Sequence, residues 1–162
     1  MDAEFLNYAE TQAAKNLDFQ ISCIDTITAQ ANKTLTVALL MISGCFAGFT
    51  QLYGNPNKVV FAWGFVGPCI CLTVAAVLTV TRILSGREVK PPGHDPAILI
   101  DYFTDHTMTA VREAALGQTQ EKIAANRDQT IKAGGHLKDV HHIMALSPLS
   151  YVVAAAVAAW VR

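Results

Sequence analysis

Three histidines and an aspartate crowd one short stretch (His136, Asp139, His141 and His142), and four cysteines stand at Cys23, Cys45, Cys69 and Cys71. Imidazole and thiolate are ordinary zinc ligands, and imidazole also changes charge near neutral pH. The spacing works against a shared site. Ligands on one helix face lie at i, i+4, whereas His136 and His141 are five apart and His141 and His142 are adjacent. Cys69 and Cys71 are two apart, on different faces of a helix, and no Cys-x-x-Cys occurs. Inside apolar segments cysteines act as small apolar residues, and histidines just ahead of such a segment act as polar interfacial groups. Neither a metal nor a disulfide is expected. There is no GxSxG, HExxH or P-loop, and no nucleophile has a partnered base. The chain is not expected to be an enzyme or to carry a resident cofactor.

The remaining short pattern concerns association. Gly44-Cys45-Phe46-Ala47-Gly48 is a GxxxG within apolar sequence. Small residues four apart let two helix backbones approach closely in lipid. Two readings stay open: self-association of this helix, or packing against the next one in the same chain. Gly64 and Gly67-Pro68 leave a similar choice between a kink that exposes carbonyls and simple packing. Ala154, Ala155, Ala156, Ala158 and Ala159 give the last helix a smooth face for close contact.

These residues need long apolar helices to hold them, and the sequence supplies such helices. Thr34–Asn57 and Val59–Thr81 contain no Asp, Glu, Lys, Arg or His. About 20 mostly apolar residues cross a bilayer as a helix, which satisfies its own backbone. Ile143–Val161 is also free of charge. It reads as a third span, or as an Ala-rich helix packed along the other two. The fold expected is an all-α membrane protein, a two-span hairpin plus a third span, with long cytoplasmic helices. Of 162 residues, 52% are hydrophobic and only 15% charged, against about 25% charged in soluble domains. The net charge of −1 and the lack of a basic run give no footprint for nucleic acid. With the spans removed, no segment is long enough for a separate globular core.

Four segments follow. Residues 1–33 form an N-terminal cytoplasmic helix; with no Gly or Pro before Gly44, it runs into the first span as a rod of about 75 Å at 1.5 Å per residue. Its acidic start does not resemble a cleavable signal peptide. Residues 34–84 form the hairpin, turning at Gly54-Asn55-Pro56-Asn57. Residues 85–135 hold a loop and a long helix that starts at Asp95-Pro96, has Ile98, Leu99, Tyr102 and Phe103 as its apolar beginning, and ends at Gly134-Gly135. Residues 136–162 form the last, transmembrane helix. Lys and Arg concentrate before span one (Lys15, Lys33) and between spans two and three, with Lys58 alone in the hairpin loop. This bias places the N-terminus and the central helix in the cytoplasm. The spans contain no ionisable relay and the chain no inverted repeat, so a coupled carrier is not expected.

The layout resembles small membrane effectors of bacterial anti-phage systems, the transmembrane Pycsar effectors and the SLATT-type two-span effectors. The likeness rests on Ala31-Asn32-Lys33-Thr34 at the entry to span one, where the Pycsar-type pattern tends to be Asp-Lys-Ala-like. It rests also on the basic, proline-containing exit from Arg87 to Pro92, on Asn126 with Lys132 six residues on, and on an apolar final segment with Pro148. Asn32 stands where the pattern has Asp. The resemblance implies a dormant protein of the bacterial inner membrane. It would respond to a nucleotide signal, such as a cyclic nucleotide, made by a partner cyclase encoded nearby. It would then multimerise as a homo-oligomer in the lipid bilayer and compromise it. The surface implied for the anionic ligand is where the 3–33 rod meets the 96–133 helix, with Lys33, Asn126, Arg127 and Lys132 as its groups. Two further readings compete. One is a non-catalytic accessory subunit of a larger membrane complex, docking through its cytoplasmic helices. The other is a holin-type pore, which suits the long central helix less well.

Overall fold

Nothing in the sequence from Ala3 to Gly44 breaks a helix, and α1 runs unbroken over Ala3–Tyr53. It stops where Gly54, Asn55 and Pro56 take over. There Asn55 N–H donates to Leu52 O at 3.2 Å and Lys58 N–H to Asn55 O at 2.9 Å, closing a tight turn. The computed structural model describes residues 3–56, 58–85, 89–91 and 107–161. Every regular element among them is a helix, and three helical stretches are long and apolar enough to cross a membrane: Glu4–Tyr53, Val59–Leu84 and Met108–Val161.

After the turn come α2 (Val59–Gly64) and α3 (Val66–Leu78). The break at Phe65 has a local cause. Pro68 has no N–H to give the Gly64 carbonyl, and Phe65 N–H tightens instead onto Ala62 O at 3.0 Å. The helix then widens into a π segment over Thr79–Leu84, closed by Ser85 N–H donating to Val80 O at 2.8 Å.

The last helix, α4, spans Met108–Val161 in one piece, and this departs from expectation twice. Its start is at Met108 rather than near Pro96. Thr107 is not helical; its carbonyl accepts Val111 N–H at 3.1 Å and its hydroxyl lies 3.4 Å from Ala110 N, a cap that sets the first turn. Asp95-Pro96, Ile98, Leu99, Tyr102 and Phe103 lie outside the described residues. The second departure is that Gly134-Gly135 does not end the helix. A glycine inside a helix costs about 1 kcal/mol relative to alanine, and here packing outweighs it. Ala133, Leu137 and Val140 on either side are buried, and Gly134 sits under Ile27.

The chain divides into two compact units, Met1–Thr26 with Glu88–Lys132, and Ile27–Arg87 with Ala133–Arg162. In the first unit, α1 buries Leu6, Leu17 and Ile24. Spacings of 11 and 7 residues keep these on one stripe of a helix. In the second, Ala31, Ala75, Ile83, Ala133, Leu137 and Val140 form a core, flanked by Ile27, Leu78, Ile143 and Met144. Half of that core is alanine, so the helices meet through small side chains, as membrane helices do.

Candidate functional site

The outside of the second unit is more apolar than its inside requires. Leu39, Leu40, Phe46, Ile70, Val77, Leu149, Val153 and Val157 are all exposed. A water-soluble surface does not carry so many large apolar side chains on adjoining helices. Its hydroxyls are satisfied locally. Thr36, Ser43, Thr73, Thr79 and Thr81 each donate to the carbonyl four residues back, at 2.7–3.0 Å. A hydroxyl bonded within its own helix asks nothing of the surrounding lipid. Around Pro148, Ser150 Oγ donates to Ser147 O at 2.6 Å.

Glycines and aromatic rings lock this unit together. Phe65, at the break between α2 and α3, lies over Gly48 of α1; a Cβ on Gly48 would sit 2.7 Å from the ring. Phe65 meets Tyr151 of α4 edge to face, with ring centres 5.1 Å apart. Tyr151 in turn covers Gly64, where a Cβ would lie 2.7 Å from its ring, and its hydroxyl donates to Phe61 O at 3.3 Å. Gly67 faces the backbone carbonyl of Ser150 so closely that no side chain fits. Gly64 and Gly67 are therefore close-approach positions between helices. Thr34 Oγ1 and His141 Nε2 add a polar link between α1 and α4 at 3.0 Å.

The two glycines of the GxxxG have different surroundings. Gly48 is filled from within the chain by Phe65, whereas a Cβ on Gly44 would meet nothing within 4 Å. The charges of the unit also separate by level. Lys33 and Lys138 lie within two residues of core members Ala31, Leu137 and Val140, and Arg82 adjoins Ile83. Lys58 stands at the turn, at the opposite end of α2 and α3. Between these levels α1 has 20 residues without charge, Thr34–Tyr53, about 30 Å of helix.

The first unit holds a polar site of its own. A groove of about 440 Å³ is lined by Asn16 of α1 and by Gln120, Ile123, Arg127, Asp128 and Ile131 of α4. Arg127 is exposed and faces this groove. Lys132 is exposed and pairs with Asp128 at 2.6 Å. Asn126, named with them from sequence, is turned inward and fully buried. Its Nδ2 donates to Lys90 O at 3.1 Å and its Oδ1 accepts Lys90 N–H at 3.2 Å. Lys33 belongs to the other unit and is exposed there. Of the four residues, Arg127 lines the groove, Lys132 stands beside it through Asp128, and Asn126 acts as a clasp.

Sequence reasoning missed a second clasp. Arg112 grips Glu10 with two hydrogen bonds, Nε to Oε1 at 2.8 Å and Nη2 to Oε2 at 2.7 Å, and Nη2 also donates to Asn7 Oδ1. The guanidinium holds the Glu10 carboxyl below its usual range, and the carboxylate raises Arg112 in return. The residues are 102 apart in sequence, so no local pattern announces the pair. Among the described residues no cluster of three or more His, Cys, Asp or Glu is placed to hold a metal. Comparison with known protein families, with curated proteins and with solved structures finds no match.

Proposed function

We propose that this chain is a membrane-embedded effector that self-associates through its first span and disrupts or permeabilises the bacterial inner membrane in anti-phage defence. The observation that carries the reading is the open helix surface at Gly44, set in a charge-free apolar stretch whose other glycine, Gly48, is already filled by Phe65. A helix backbone left bare in lipid is a surface for a second helix. Residues 34–53 and 59–84 form the transmembrane hairpin, and the apolar end of α4 forms the third span. Lys33, Arg82 and Lys138 mark the cytoplasmic level and Lys58 the far one. The N-terminal part of α1 and the first part of α4 are then cytoplasmic.

These two parts serve as the regulatory element. Both α1 and α4 are continuous helices, so a change in their cytoplasmic parts biases the spans. The groove lined by Asn16, Gln120 and Arg127 takes the anionic signal, which the family resemblance makes a cyclic nucleotide from a neighbouring cyclase. Asp128, which also lines the groove, is offset by Lys132, leaving the Arg127 charge for an anion.

The test is inducible expression in a bacterium with a membrane-potential dye, comparing wild type with Gly44→Leu at equal membrane levels. Wild type is expected to depolarise and arrest the cells, and Gly44→Leu to lose most of this effect while keeping its fold. Depolarisation by Gly44→Leu equal to that of wild type would overturn the reading. A silent wild type that co-purifies in fixed ratio with other membrane chains would make it an accessory subunit instead.

A further inference from the structure

At the turn end of the second unit, α2 and the close of α4 diverge around an apolar groove of about 710 Å³. Val59, Trp63 and Val66 form one wall, and Ala154, Ala158 and Val161 lie opposite. No lining side chain is charged. Val59, Val66, Ala154 and Ala158 are half-buried in it, while Trp63, Val157 and Val161 are exposed along it. Ala154 is also the neighbour of Gly67, with its Cβ 3.2 Å from where a Gly67 side chain would begin, so this side of the groove is fixed by packing within the chain. From Val59 to Val66 the groove follows about 10 Å of helix.

We infer that this groove holds one acyl chain of an anionic phospholipid whose phosphate is paired with Lys58. Three observations select that occupant. The groove begins at Val59, the residue after Lys58, and Lys58 is exposed. Among the described residues, Thr34–Pro56, Lys58–Ser85 and Ile143–Val161 carry no acidic side chain to pair with that ammonium. Trp63 at the rim and Trp160, 88% exposed beside Val161, are the residues that gather at the headgroup level of a bilayer. The large exposed side chains of Trp63, Val157 and Val161 suit a flexible acyl chain better than a second helix, which needs small residues at the contact. The inference uses only the membrane placement of the helices, not the gating or the association at Gly44.

Fluorescence quenching tests it. With Trp160→Phe, Trp63 is the one remaining tryptophan of the two in the chain. The full-length protein is placed in vesicles of phosphatidylcholine and phosphatidylglycerol in which one or the other carries brominated chains. Brominated phosphatidylglycerol is expected to quench Trp63 with about a fivefold preference, the scale of one Lys at an anionic headgroup. Lys58→Glu should abolish the preference with helicity unchanged, and Ala158→Phe should reduce quenching by both lipids. Equal quenching by the two lipids, unchanged in Lys58→Glu, overturns the inference. So does absent quenching with Trp63 shielded in a dimer, which would place a second copy in the groove.

Discussion

Removing the Asn126 carboxamide should release the segment at Lys90 while leaving α4 in place. Lys90 precedes Pro91, and a residue before proline is held extended. Its N–H and C=O both face Asn126, which answers each with the opposite group at 3.2 and 3.1 Å. Asn126 is fully buried, so neither bond is readily replaced by water. Two neutral hydrogen bonds are worth roughly 1–3 kcal/mol together. That energy corresponds to about a 5- to 150-fold change in the opening equilibrium. Amide hydrogen exchange at Lys90 reads it directly. Asn126→Ala should speed exchange of the Lys90 amide by that factor, with amides from Gln118 to Ala124 changing little. Lys122→Ala removes the long contact from Nζ to Pro91 O, at 3.4 Å, and leaves both Asn126–Lys90 bonds, so it should change Lys90 exchange by less than about threefold. Unchanged exchange in a folded Asn126→Ala would refute the clasp. Equal acceleration along the whole of α4 would show that Asn126 supports the helix rather than the segment.

Gly67→Leu forces a side chain against the Ser150 backbone and should destabilise the second unit by about 3 kcal/mol or more. Gly48→Leu pushes first on the movable Phe65 ring rather than on backbone and should cost about 1 kcal/mol; thermal unfolding in detergent separates the two. Thr34→Val, which removes the link to His141, should lower stability by about 0.6 kcal/mol, the average for a hydrogen bond between membrane helices. Because the Glu10 carboxyl is held below its usual range by Arg112, its contribution is complete above that range and fades as pH falls through the lowered value. Acidification should therefore lower protection (exchange relative to the intrinsic rate at each pH) along residues 5–15 in wild type, and Glu10→Gln should show the lower protection already at neutral pH, with little further change in protection as pH falls.

The long helices were legible because their signals are local. The charge-free runs, the turn at Gly54-Asn55-Pro56 and the lack of glycine before Gly44 each act within a few residues. The sequence misled where a local rule met packing. Gly134-Gly135 reads as a stop, but Ala133, Leu137 and Val140 are buried around it and keep α4 intact. Gly64 and Gly67-Pro68 leave a choice between a kink and simple packing, and Pro68 does interrupt the helix. Their second role, close approach to Tyr151 and Ser150, depends on residues more than 80 positions away. The same distance hid the Arg112–Glu10 clasp and the Thr34–His141 link. Asn126 reads from sequence as a polar residue on a helix, but its partner is the backbone of Lys90, which no side-chain pattern reveals.

The sidedness of three positions decides whether these helices cross the membrane. In a background with Cys23, Cys45, Cys69 and Cys71 replaced by serine or alanine, single cysteines are placed at Gly54, Glu121 and Trp160. They are then labelled in intact cells with a membrane-impermeant thiol reagent. Gly54→Cys and Trp160→Cys are expected to label from outside, and Glu121→Cys only after the inner membrane is opened. Labelling of all three from the same side would contradict three crossings, and with them the membrane-embedded effector.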